Sequence, residues 1–206
     1  MRIGLITEGI AEFRSMGVFL RRIVPSASVS GPTRVKASPE AKPELTAGEI
    51  ARQLPTLAAD EAAAVLVIID RDRQVLCPPS YARSVEEILR PRCRKHGIRA
   101  VRVVVKDPMF ENWLVSDPSV FLKFPKRYHR HVANSIRFSG NADSVDAGEL
   151  LRRLCVKDYD KVIDAMVLAR ELNPETMARN SRSFDKFLRE LYSLTGGARR
   201  KSRSRR

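Results

Sequence analysis

The chain lacks most of the features that would assign it at a glance. Among 206 residues there are only three cysteines and three histidines. Cys77, Cys93 and Cys155 lie far apart and make no metal-ligand spacing, which excludes a zinc ribbon or a disulfide framework and fits reduced thiols in the cytosol. No apolar run approaches the roughly 18 residues a membrane span needs. No signal peptide precedes the first apolar run, so a cytoplasmic location is expected. There is no Walker-type phosphate-binding loop, no lipidation motif and no amphipathic membrane anchor. Acid is scarce as well: Asp and Glu number 24 against 38 Lys and Arg, giving a net charge of +14.

That excess favours a polyanionic partner, and without a membrane anchor nucleic acid, DNA or RNA, is the expected one. The segment 196–206 carries six of the basic residues, Arg199, Arg200 and Lys201 among them, and no acid, so +8 of the +14 remains on the body. The composition of this tail predicts disorder when unbound. Lys126-Arg-Tyr-His-Arg-His131 reads as a solvated basic patch, not as metal ligands.

The remainder has an ordinary apolar fraction of 43%, sufficient for one core. We expect a single domain over 1–195, with a sheet core in 1–117 and a helical extension in 118–195, followed by the tail at 196–206. Ile3 to Ile6 predicts a first strand and Ile10 to Val24 an amphipathic helix. Pro25 to Pro43, with four prolines, predicts a long loop holding an edge strand around Val35. Thr46-Ala-Gly-Glu49 is a capping box opening a helix to about Ala58. Ala64 to Ile69 is the strongest strand, apolar throughout as expected of one covered on both faces. A second capping box, Ser84-Val-Glu-Glu87, predicts a helix to about His96, kinked or interrupted by Pro91 and stopped by Gly97. Ile98 to Val105 predicts a further strand. Beyond it the pattern is helical, with helices expected at 109–116, 147–155, 159–170 and 182–194, and another opening at Asp117-Pro118. Strands alternating with helices predict an α/β fold, a mostly parallel sheet flanked by helices, with a helical C-terminal part.

In such sheets ligands bind beyond the carboxyl ends of the strands, and acids stand there. Glu8 ends the first strand, Asp70 and Asp72 the strongest, and Asp107 with Glu111 the last. Carboxylates packed together repel unless a cation joins them, and a hard divalent ion, Mg²⁺ or Mn²⁺, suits oxygen ligands. In extended backbone Asp70 and Asp72 point the same way while Arg71 and Arg73 point elsewhere, toward phosphates. Gly9 allows a tight turn into a helix whose amino terminus favours anions. Asp117 reads as a helix cap. Phe110, Trp113 and Leu114, like Phe184, Phe187 and Leu191, read as core.

Glu8-Gly9 and Asp70-x-Asp72 in this order resemble the Toprim domain of topoisomerases, primases and the overcoming-lysogenization-defect nucleases. Further residues resemble small bacterial Toprim-related proteins of unknown function: Glu8-Gly9-Ile-Ala-Glu12, Phe110-Glu111-Asn-Trp113-Leu114, Tyr159-Asp-Lys161 and Arg182-Ser183-Phe184. The resemblance implies a Toprim-like, Rossmann-like fold. It implies Glu8 as general acid/base or ligand and Asp70 and Asp72 as holders of the metal. Glu12 and Glu111 would complete a second metal site, as in the nuclease branch. Arg73-Gln74 follows the Asp-x-Asp pair where topoisomerases have a third Asp, and no tyrosine stands out as a strand-transfer nucleophile, which argues against topoisomerase activity.

The expected function is therefore metal-dependent hydrolysis of nucleic-acid phosphodiesters. Arg34, Lys36, Arg71, Arg73 and Lys106 would hold the strand by its phosphates, helped by the tail. The resemblance implies a role in phage or mobile-element defence beside a separate ATPase partner. The alternatives are a catalytically inactive Toprim-like module that binds nucleic acid or a partner protein, and a nucleotide-handling transferase.

Overall fold

The computed structural model describes residues 1–36, 42–71 and 76–196. Four strands, β1 (Arg2–Thr7), β2 (Ser28–Arg34), β3 (Ala64–Asp70) and β4 (Ala100–Lys106), form one sheet in the order β2-β1-β3-β4. Every pairing is parallel. The fold is α/β and Rossmann-like.

Parallel pairing follows from the crossovers. α1 (Ile10–Ile23) joins β1 to β2, and α2 (Pro43–Ala51) with α3 (Leu54–Ala59) lie between β2 and β3. α4 (Pro78–Lys95) joins β3 to β4. Both faces of the sheet are covered, so β3 is apolar at every position before its last. Ala64, Leu66 and Ile68 enter one core, while Val65, Val67 and Ile69 enter the other. The first core holds α1 and the C-terminal helices, and the second holds α2, α3 and α4.

After β4 the chain is helical: α5 (Phe110–Val115), a 3₁₀ segment Pro118–Lys123, α6 (Arg130–Ser135), a 3₁₀ turn Ala142–Ser144, α7 (Ala147–Leu154), α8 (Lys161–Leu168), α9 (Pro174–Asn180) and α10 (Arg182–Thr195). Trp113 anchors these helices. It is fully buried, stands edge-on to Phe184 at 5.2 Å and donates its indole N–H to Ser183 Oγ at 2.8 Å.

Local readings differ from the sequence expectation in four places. The edge strand is Ser28–Arg34, ending before Val35. Its register against β1 slips around Gly31 and Pro32, a bulge that lets an edge strand hold a proline. The helix expected from Thr46 starts at Pro43 and is divided before Pro55, a proline at the start of α3; the Thr46 hydroxyl meets the Tyr81 hydroxyl at 2.7 Å and caps nothing. The helix expected from Ser84 starts at Pro78 and runs through Pro91 to Lys95. At its end Ile98 N–H bonds the Cys93 carbonyl and Gly97 N–H that of Arg94, with Gly97 at φ +73°, the left-handed cap expected of that glycine. Finally, α6 and α9 add two short helices that the pattern did not announce.

Candidate functional site

In the order β2-β1-β3-β4 the chain moves from β1 to one side, then returns to β3 on the other. Helices therefore leave the sheet on opposite faces at the β1/β3 boundary, the place beyond the carboxyl strand ends where open α/β sheets bind ligands. Glu8 follows β1 and Asp70 closes β3, so the switch point lies between the two expected acids. Glu8 Oε2 accepts the backbone N–H of Asp70 at 3.0 Å, which ties the strand ends together. Arg34, last in β2, donates its Nε to the Glu8 carbonyl at 3.1 Å. On the other side Arg71 pairs with Asp107 Oδ1 at 2.9 Å, and its N–H bonds the Lys106 carbonyl.

The centre of the cluster is Lys106. It ends β4 in register with Asp70, is 0% exposed, and forms ion pairs with Glu12 and, at 2.9 Å, with Asp70 Oδ1. Its Nζ also lies 5.5 Å from the centroid of the Phe110 ring. Glu12 is 1% exposed in the first turn of α1, its carboxylate laid against Gly9. Gly9 has an ordinary φ of −81°, so no tight turn requires it. It is needed because a Cβ there would overlap the Glu12 carboxylate. Burial drives the Lys106 ammonium below the usual lysine range, Glu8 and Glu111 pull it back up, and Lys161 pushes it down again.

Glu111, in the first turn of α5, is also buried and takes Lys161 Nζ on its Oε1 at 3.0 Å. Lys161 opens α8 directly after Asp160, whose side chain caps that helix by accepting from Val162 and Ile163 N–H. The second oxygens of Glu12 and Glu111 are buried with no hydrogen-bond partner among the described residues.

The family described as a domain of unknown function, DUF4276, matches residues 7–192, from the end of β1 to within α10. The chain belongs to this family. No curated protein and no solved structure matches it. The DUF4276 match thus takes in both the strand-end acids and the helices that carry Lys161 and Trp113.

Of the expected site residues, this DUF4276 chain brings together Glu8, Glu12 and Asp70, with Glu111 acting on the same lysine through its charge. Asp72 and Arg73, like Arg199, Arg200 and Lys201, lie outside the described residues. Glu12 and Glu111, expected to complete a second metal site, are buried and each is lysine-paired. Lys106, expected to grip phosphates at the surface, is corrected to an internal counter-ion, since a fully buried ammonium cannot line a nucleic-acid track. Arg34 and Lys36 are exposed at the end of β2, and Arg71 is partly so. Asp117 is a structural acid: it accepts from Ser119 Oγ at 2.5 Å and from Asn173 N–H at 2.8 Å, tying the 3₁₀ segment to α9. A cavity of about 310 Å³ near Asp117, Arg137 and Asn180 contains none of the strand-end acids.

Lys161 stands in the Tyr159-Asp-Lys161 match, but the sequence shows neither its pairing with Glu111 nor the burial of Lys106. The one available signal was a lysine closing the otherwise buried run Val103-Val104-Val105. A divalent ion suits this site in chemical kind: carboxylate oxygens predominate, and two of them are buried without partners. In arrangement it suits it less, because no three His, Cys, Asp or Glu among the described residues stand together as a ligand set, and Lys106 bridges Glu12 and Asp70.

Proposed function

We propose that this protein is a divalent-metal-dependent enzyme acting on nucleic-acid phosphodiesters, with its site at the β1/β3 switch point. The observation that carries the reading is the gathering of Glu8, Glu12, Asp70 and Glu111 at one sheet edge of a chain whose net charge is +14. Acids concentrated at the carboxyl ends of the strands in a basic protein are what a metal-assisted reaction on a polyanion needs. The resemblance of Glu8-Gly9 and Asp70-x-Asp72 to the Toprim pattern, which rests on two of the same acids, points the same way.

Glu8 and Asp70, both partly exposed, are the carboxylates that would hold the ion, with Asp72 added by the sequence pattern. Bound there, Mg²⁺ or Mn²⁺ would supply a water of lowered pKa and neutralise charge on the phosphodiester. Arg34, Lys36 and Arg71 would hold the strand by its phosphates, giving weakly sequence-specific, salt-sensitive binding. A role in phage or mobile-element defence, beside a separate ATPase, follows from the resemblance alone.

A second reading, an inactive Toprim-like module that binds nucleic acid or a partner protein, is favoured by the Lys106 bridge, which leaves the buried acids paired without a metal. Cleavage of labelled DNA and RNA by the purified chain separates the two, run with Mg²⁺, with Mn²⁺, with EDTA, and beside Asp70→Asn. Cleavage that needs metal and is lost in Asp70→Asn upholds the enzyme. Tight binding with no cleavage under any metal upholds the module.

A further inference from the structure

We infer that the Lys106 amino group is a resident second cation, filling the position between Glu12 and Asp70 so that the site takes one divalent ion at most. The inference rests on the metal reading above and makes it more specific. Two-ion phosphodiesterase sites hold their ions about 3.5–4 Å apart between shared carboxylates. Here Asp70, expected to hold the metal, turns its Oδ1 to Lys106 Nζ at 2.9 Å, and Glu12, expected in the second site, closes the other side of the same ammonium. An ammonium is a compact point charge on a flexible stem, able to replace a cation electrostatically, although it cannot activate water as a Lewis acid.

The two carboxylates, against the cost of burial, keep the ammonium in place. Lys106 is 0% and Glu12 1% exposed, so solvent cannot neutralise Glu12 if the ammonium leaves. Phe110 caps the ammonium, and the missing Cβ of Gly9 gives the Glu12 carboxylate its seat. Each buried acid of the expected second site, Glu12 and Glu111, has its own lysine. That site is thus already served, once by β4 through Lys106 and once by α8 through Lys161.

The test counts bound Mn²⁺ on the purified full chain by the loss of the free-ion paramagnetic resonance signal, comparing wild type with Lys106→Met, which keeps the bulk and removes the charge. The expected result is at most one Mn²⁺ on wild type and one more on Lys106→Met, whose thermal unfolding also rises further with Mn²⁺ than that of wild type. Two Mn²⁺ on wild type, or no additional ion on Lys106→Met, overturns the inference. No Mn²⁺ on wild type with one on the variant removes the metal reading of the native site yet upholds Lys106 as the cation. Should Lys106→Met fail to fold, the double variant Glu12→Gln, Lys106→Met removes one charge of each sign. It is expected to bind the wild-type number, and a further ion there overturns the assignment of Glu12 to this position.

Discussion

At the residue scale the site is held by single interactions with sharp consequences. Gly9→Ala places a methyl group against the buried Glu12 carboxylate and displaces it from Lys106. The expected loss is about 1–3 kcal/mol, typical of overpacking, read as a lower urea midpoint at unchanged slope. Glu12→Ala is more severe, about 3–5 kcal/mol by the same measurement, because it strands a buried ammonium on Asp70 alone. The thiols give an independent check of burial. Burial pushes Cys93 and Cys155 up to about 11 each. Exposed Cys77 is lowered by its hydrogen bonding to Ser80. A native-state titration with a chromogenic thiol reagent is expected to show one fast thiol of the three, abolished by Cys77→Ser. Glu8 and Asp70 were legible as strand-end acids because each closes an apolar run. The burial of Lys106 was not legible, because a lysine in a sequence reads as surface. Only the neighbouring strand and helix, from elsewhere in the chain, supply the carboxylates that permit its burial.

At the scale of elements, α10 joins the site to the body through Trp113. Ser181 caps it, accepting from Phe184 N–H at 3.0 Å while donating to Asp143 at 2.6 Å. Trp113→Ala removes the ring that Phe184 and Phe187 pack against and is expected to destabilise the fold by about 3–5 kcal/mol in a urea titration. A loss below about 1 kcal/mol would mean that the helical part contributes little to global stability. Strands β1, β3 and β4 were legible because buried parallel strands are apolar at consecutive positions. The two capping boxes misled for a physical reason: Thr46 and Ser84 lie inside helices that a proline opens earlier, at Pro43 and Pro78. Short α6 and α9 were invisible because six or seven residues carry too little periodicity to register.

At the scale of the molecule, the sheet order decided what the sequence left open. Acids at three strand ends make a site only if the strands are neighbours, and β2-β1-β3-β4 puts β1 beside β3 and β3 beside β4. Strand order depends on pairings distant in the chain, which no local pattern records. The net charge of +14 acts at this scale too. Removing 199–206, which holds six basic residues, is expected to weaken nucleic-acid binding and flatten its dependence on salt. The log–log slope should fall by about 0.9 for each duplex phosphate that the tail had neutralised. An unchanged slope would make the tail a bystander. The most direct test of the central claim is cleavage of labelled nucleic acid in Mn²⁺ by wild type and Glu8→Gln. The amide oxygen of Gln keeps the bond from Asp70 N–H, so the strand ends stay joined and only the charge is removed. The account predicts cleavage by wild type, none by Glu8→Gln, and circular dichroism unchanged between them. Undiminished cleavage by Glu8→Gln would contradict it and move the chemistry away from the β1/β3 edge.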